Sequence, residues 1–172
     1  LKTLPDALMI LVPRYPERFT RVTQLARSAG LQTETYSDGE ACSEEARCFV
    51  IDTIGELMTY YACADIAYVG GSMGEQGGHN ALEPAALGKP VLFGPNMDNA
   101  KEIASQLLHG NAARQVTNQQ DFQRAAEQIV GRGFGGLRTH GCLTGCRELP
   151  GVDHDRHRMG IPSAQAREKS QG

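Results

Sequence analysis

The sequence has no surplus of positive charge: 17 Lys and Arg stand against 20 Asp and Glu, giving a net charge of -3 and a pI near 6.0. The basic residues are scattered, so nothing in the composition supplies the field that holds a nucleic-acid backbone, and nucleic acid is set aside as a partner. Also lacking is any apolar run near the ~20 residues of a membrane helix. The start, LKTLPDALMILVPRYPERF, shows no basic leader followed by a cleavage site. A chain with neither feature is expected to be cytoplasmic. Cys42, Cys48 and Cys63 have no metal-like spacing, and an odd total of five cysteines suits free thiols in a reducing compartment. There is no GxxxxGK[ST] stretch, and the glycines follow a later strand without a clean GxGxxG, so P-loop hydrolysis of ATP and plain NAD binding both lose ground.

What the sequence does have is alternation. ALMILV at 7–12 is a continuous apolar run of strand length ended by Pro13, as in a strand buried on both faces. Pro16 suits a first helical position, Phe19, Val22, Leu25 and Ala26 fall on one helical face, and Gly30 closes the segment. LQTETY at 31–36, CFVI at 48–51, IAYV at 66–69, PVLFG at 90–94 and ARQV at 113–116 read as further strands. Helices are expected between them at about 54–63, 80–87, 99–108 and 119–130. Strands and helices alternating at this spacing imply right-handed crossovers on a mostly parallel sheet, an α/β doubly wound fold.

After Val130 the character changes. Residues 131–172 hold nine of the 20 glycines, many charges and no hydrophobic period, and are expected to be a poorly ordered, irregular tail. The tail contains CLTGC and HDRH, but Cys142, Cys146, His154 and His157 are irregularly spaced for zinc and have no element to orient them, so no metal site is assigned.

In an open parallel sheet, ligands bind outside the carboxyl ends of the strands. The segments there are PRYPERF, DTIGEL, GGSMGEQGGHNALE and GPNMDNAKE. Thr53 and Glu56, Asn80 and Glu83, and Asn99 and Glu102 each stand three apart, the spacing of a capping box. That structural reading accounts for the pairs alone. It leaves unexplained the two Gly pairs, Gly70–Gly71 and Gly77–Gly78, since a simple turn needs one glycine and each costs about 0.5–1 kcal/mol relative to Ala. A ligand approaching the backbone would account for them, with Gly70, Gly71, Ser72, Gly77, Gly78 and His79 as phosphate or sugar contacts. Glu83 would accept from ribose hydroxyls, and Arg14, between Pro13 and Pro16, would meet a phosphate. His79 is ambiguous between a phosphate contact, a base and a packing residue.

ILVPRYPERF, DTIGEL, AYVGGSMGEQGGHNALEPAALGKPVLFGP and NAKEI resemble, in order and spacing, the carboxyl-terminal half of the 3-deoxy-D-manno-octulosonic acid (Kdo) transferases of lipopolysaccharide synthesis, over about residues 4–130. The resemblance implies a Rossmann-like half of a GT-B glycosyltransferase: residues 1–130 a CMP-sugar-binding domain lacking its first strand, residues 131–172 an atypical tail. It implies CMP-Kdo as donor, no further cofactor, and CMP contacts at Pro13, Arg14, Ile54, Gly55, Glu56 and Asn80, Ala81, Leu82 and Glu83. It places no catalytic residue in this chain. The general base, the lipid A precursor acceptor site and the membrane contact would belong to an amino-terminal domain, with the parent enzyme at the cytoplasmic face of the inner membrane. Tyr15 stands where the family usually has His, and Glu75 lies in a loop usually apolar. Two other readings stay open: another GT-B transferase or a sugar-nucleotide epimerase using a UDP-sugar, and a non-catalytic nucleotide-binding module.

Overall fold

The structure is a computed structural model that describes residue 4, residues 7–39 and residues 42–131. The tail expectations, including the residues considered for zinc, fall outside these. Six strands and five helices alternate: β1 (Met9–Leu11), α1 (Phe19–Ser28), β2 (Thr33–Thr35), β3 (Cys48–Val50), α2 (Leu57–Cys63), β4 (Ala67–Val69), α3 (Leu82–Ala86), β5 (Val91–Phe93), α4 (Lys101–His109), β6 (Ala113–Gln115) and α5 (Gln119–Gly131). Every expected element is present, and the strands are shorter than the apolar runs that announce them.

All strand pairings are parallel. Hydrogen bonding divides the strands into two three-stranded sheets, in the orders β1-β3-β2 and β4-β5-β6. Each sheet is covered on both faces, and the two-residue period of the middle strand shows how. From β3 and its end, Phe49 and Ile51 pack with Tyr60 of α2, whereas Cys48 and Val50 pack with Ala26 of α1. From β5, Val91 and Phe93 face Ala104 of α4, and Leu92 faces Val116 and Ala125 of α5. Helices on both faces of parallel strands are the doubly wound α/β arrangement that the alternation predicts.

One strand departs from expectation. The run at 7–12 predicts burial on both faces, yet all three residues of β1 are only half-buried, because β1 lies at the edge of its sheet while β3 takes the middle. Cys42 and Cys48 are free thiols, as expected.

The second sheet is tied to its loops by a buried serine. Ser72 is fully buried, its hydroxyl donating to Val69 O at 2.6 Å and accepting from Gly94 N–H at 2.7 Å. Gly94 in turn lies against the Ser72 backbone so closely that a Cβ would overlap the Ser72 carbonyl, with Met73 N at 2.8 Å. Backbone does not yield as a flexible side chain does. Gly94→Ala is therefore expected to destabilise the protein by about 3 kcal/mol or more. Gly74→Ala, at an exposed position where a Cβ meets nothing within 4 Å, should stay within about 0.5 kcal/mol of the parent. Urea unfolding of the two variants makes the comparison, and equal losses would show that the contact at Gly94 is not the constraint.

Candidate functional site

Because every pairing is parallel, the residues behind β1, β3, β4 and β5 lie at the carboxyl ends of their strands. The first sheet presents Pro13 and Arg14 behind β1 and Ile54, Gly55 and Glu56 behind β3. The second presents residues 70–83 behind β4 and 94–99 behind β5. The two sides meet at an arginine and a histidine: Arg14 Nη1 donates to His79 Nδ1 at 3.4 Å. A guanidinium has no acceptor, so His79 accepts at Nδ1 and carries its proton on Nε2. The Arg14 guanidinium also lies 5.7 Å from the Tyr15 ring centroid, so the residue that departs from the family motif packs against the cation.

The loop from Gly70 to His79 closes on itself. Gly78 N–H donates to Gly71 O and His79 N–H to Gly70 O, both at 3.1 Å. The second glycine pair is there for a different reason from the one expected. A Cβ on Gly77 would lie 2.8 Å from Asn99 Nδ2, and one on Gly78 would overlap the Met97 sulfur. Both also have positive φ, 75° and 73°. These glycines make room for the segment behind β5, and the Gly78 amide is spent within the loop. The Ser72 hydroxyl is likewise engaged inside the sheet.

None of the three expected capping boxes forms. Helix α2 starts at Leu57, which puts Thr53 a full turn too early and leaves Ile54 and Gly55 exposed on the loop, Ile54 by 63%. Asn80 Oδ1 accepts from Leu82 N–H at 3.0 Å, two residues on, with Ala81 as the buried N-cap. Asn99 turns its side chain away from its own helix, donating from Nδ2 to Gln76 O at 2.7 Å. A reciprocal cap does occur at α5, where Asn118 Oδ1 accepts from Asp121 N–H at 2.9 Å and the Asp121 carboxylate accepts from Thr117 N–H at 3.1 Å. Its acid is Asp rather than Glu, and it follows β6.

The crevice therefore offers an exposed Arg14, a half-buried His79 and an exposed Asn80, with Glu83 one turn into α3. Glu83 is near enough to Tyr61 of α2 that, after burial, its charge pushes the phenol up. Burial chiefly, then the charges of Arg14 and Arg18, hold His79 below the usual imidazole value of 6.5. Cys42 is no nucleophile at neutral pH, since burial and the charge of Glu34 push its thiol up to about 11. No helix among the described residues is long and apolar enough to cross a membrane.

The depressed His79 value has a sign. The folded state favours the neutral ring, so its contribution to stability is present above pH 6.5 and is lost as pH falls and the ring charges beside two arginines. Between about pH 7.5 and about pH 5.5, the denaturant midpoint of the parent should fall further than that of His79→Gln. Identical pH profiles would mean that the imidazole does not sense the arginines.

No family model matches the chain. Curated relatives do. The chain is 38% identical over 131 residues to the 3-deoxy-D-manno-octulosonic acid transferase of Haemophilus influenzae, covering 76% of this chain and 31% of that protein. It is 38% identical over 110 residues to the enzyme of the same name from Bordetella pertussis, covering 63% of this chain and 26% of the other. It thus spans about a quarter to a third of the length of these relatives. Among solved structures, the C-terminal CMP-Kdo binding domain of WaaA from Acinetobacter baumannii matches with a TM-score of 0.72 and 28% identity, over 86% of this chain and 77% of that one. Over most of its length the chain is therefore similar to part of the Kdo transferases, and its fold matches that of a C-terminal CMP-Kdo binding domain.

Proposed function

We propose that the crevice binds the CMP-sugar donor, CMP-Kdo, and that the chain supplies the donor half of a glycosyltransferase adding Kdo to a lipid A precursor. The observation that carries this reading is the meeting of Arg14 and His79 at the carboxyl ends of the strands, on a fold shared with a CMP-Kdo binding domain. Two nitrogen-bearing side chains from opposite sheets converge there, and Arg14 has no ion-pair partner among the described residues. An anion between them is the complement that the electrostatics lack.

In the proposed reaction an acceptor hydroxyl attacks the anomeric carbon of Kdo and the CMP phosphate departs with the bonding electrons. Negative charge grows on that phosphate, and Arg14 is the fixed positive group placed to meet it. Helix α3 has only five residues, so its dipole adds little and the guanidinium must supply most of the stabilisation. Asn80, Ala81, Leu82 and Glu83 are assigned to the ribose and phosphate, with Glu83 accepting from ribose hydroxyls. Pro13 is assigned to the CMP moiety, and Ile54, Gly55 and Glu56 to the pocket wall. Gly70, Gly71, Gly77 and Gly78 act through the shape of the loop. The general base and acceptor contacts are assigned to the rest of the longer protein, at the cytoplasmic face of the inner membrane.

A titration of the chain with CMP and with UDP, followed by ligand-observed NMR, tests the reading. Saturable binding of CMP in preference to UDP is expected. Arg14→Ala should weaken it by about tenfold or more, as for loss of a hydrogen bond to a charged group, and Glu83→Ala should weaken it too. A folded chain that ignores CMP overturns the donor assignment, and a preference for UDP moves it to another nucleotide-sugar enzyme.

A further inference from the structure

Asn99 lies outside every segment assigned to the donor, yet it holds three consecutive carbonyls of the loop that carries His79. Its Nδ2 donates to Gln76 O at 2.7 Å and reaches Gly78 O at 3.4 Å, and its own backbone N–H donates to Gly77 O at 2.9 Å. On the opposite edge of the same peptide units, Gly78 N–H is held by Gly71 O and His79 N–H by Gly70 O. The two peptide planes directly before His79 are therefore gripped on both polar edges, one edge by Asn99 and the other by the first Gly pair. A peptide plane held on both edges cannot rotate without breaking two hydrogen bonds.

From this geometry, and resting on the donor reading above, we propose that Asn99 is a positioning residue for the donor phosphate: it fixes the peptides before His79 and so sets where the imidazole meets Arg14. Asn99 is exposed, so it fills no core space that would account for it otherwise. Its neighbour Asn96 does the same for the outer half of the loop, donating from Nδ2 to Gly74 O at 2.8 Å and from its backbone N–H to Ser72 O at 2.9 Å. The short segment behind β5 is thus a second layer beneath the loop. Its amide donors are the active element, because a carbonyl can be held only by a donor.

Asn99→Asp keeps the shape and removes the donor, and Asn99→Ala removes both. The test uses the full chain and CMP as probe, with two readouts: the CMP titration, and the backbone amide resonances of Gly70, Gly71, Gly77 and Gly78. Gln123→Ala, on the exposed side of α5, serves as a control. Both Asn99 variants should bind CMP about tenfold more weakly, with the glycine resonances shifted and the thermal midpoint close to that of the control. CMP affinity equal to the parent's in both variants overturns the proposal. If the parent itself does not bind CMP, the donor reading fails. The glycine resonances then judge Asn99 separately: shifted signals uphold its grip on the loop, and unshifted ones overturn it.

Discussion

The buried hydroxyl of Ser72 is the contact on which the candidate site depends. It stands at the point where β4 has ended and the loop has begun, and it joins Val69 to Gly94, that is, one strand end to the next. A serine with no exposure must satisfy its hydroxyl internally, and doing so here fixes the departure angles of two loops at once. Gly94 follows from it, since only a residue without a Cβ can lie flat on the Ser72 carbonyl. Met97 then fits beneath Gly78, and Asn99 reaches the carbonyls above. Each step requires the one before it.

The consequence is a site assembled from backbone geometry with few side chains exposed to a ligand. The glycines, Ser72, Met97 and the two asparagines shape the loop, and Arg14, His79, Asn80 and Glu83 are left to face outward. The electrostatics of that small set are unbalanced. Burial first, and then the charges of Arg14 and Arg18, hold His79 below the usual imidazole value, and the imidazole accepts a hydrogen bond from one of those cations.

Much of the fold was legible because continuous apolar runs and helical faces report local structure directly. CFVI and PVLFG mark the buried middle strands β3 and β5 as their composition says. ALMILV is as apolar, yet it forms an edge strand, because place in a sheet is a tertiary property that hydropathy along the chain does not carry. The site was legible in part. Arg14 and His79 were both singled out, but their contact spans 65 positions of sequence and only the topology brings it about. Three Thr or Asn residues with Glu at capping distance formed no box, because each helix begins one to three residues later than the spacing implies. The glycine pairs were seen, and their reason was not: what approaches Gly77 and Gly78 is another loop of the same chain. Asn99 carried a signal, its recurrence behind a strand, that was legible only as a cap.

The Arg14–His79 bridge joins segments that follow β1 and β4, strands belonging to two sheets with no ladder hydrogen bonds between them among the described residues. Anything that engages both side chains acts as a cross-brace between separately bonded halves, and its binding energy is added to the energy that keeps the halves in register. By mass action, an occupant at one hundred times its dissociation constant would contribute about 2.7 kcal/mol, a sizeable share of a small domain's total stability. The crevice is in that sense a keystone position, where the occupant also becomes part of the architecture.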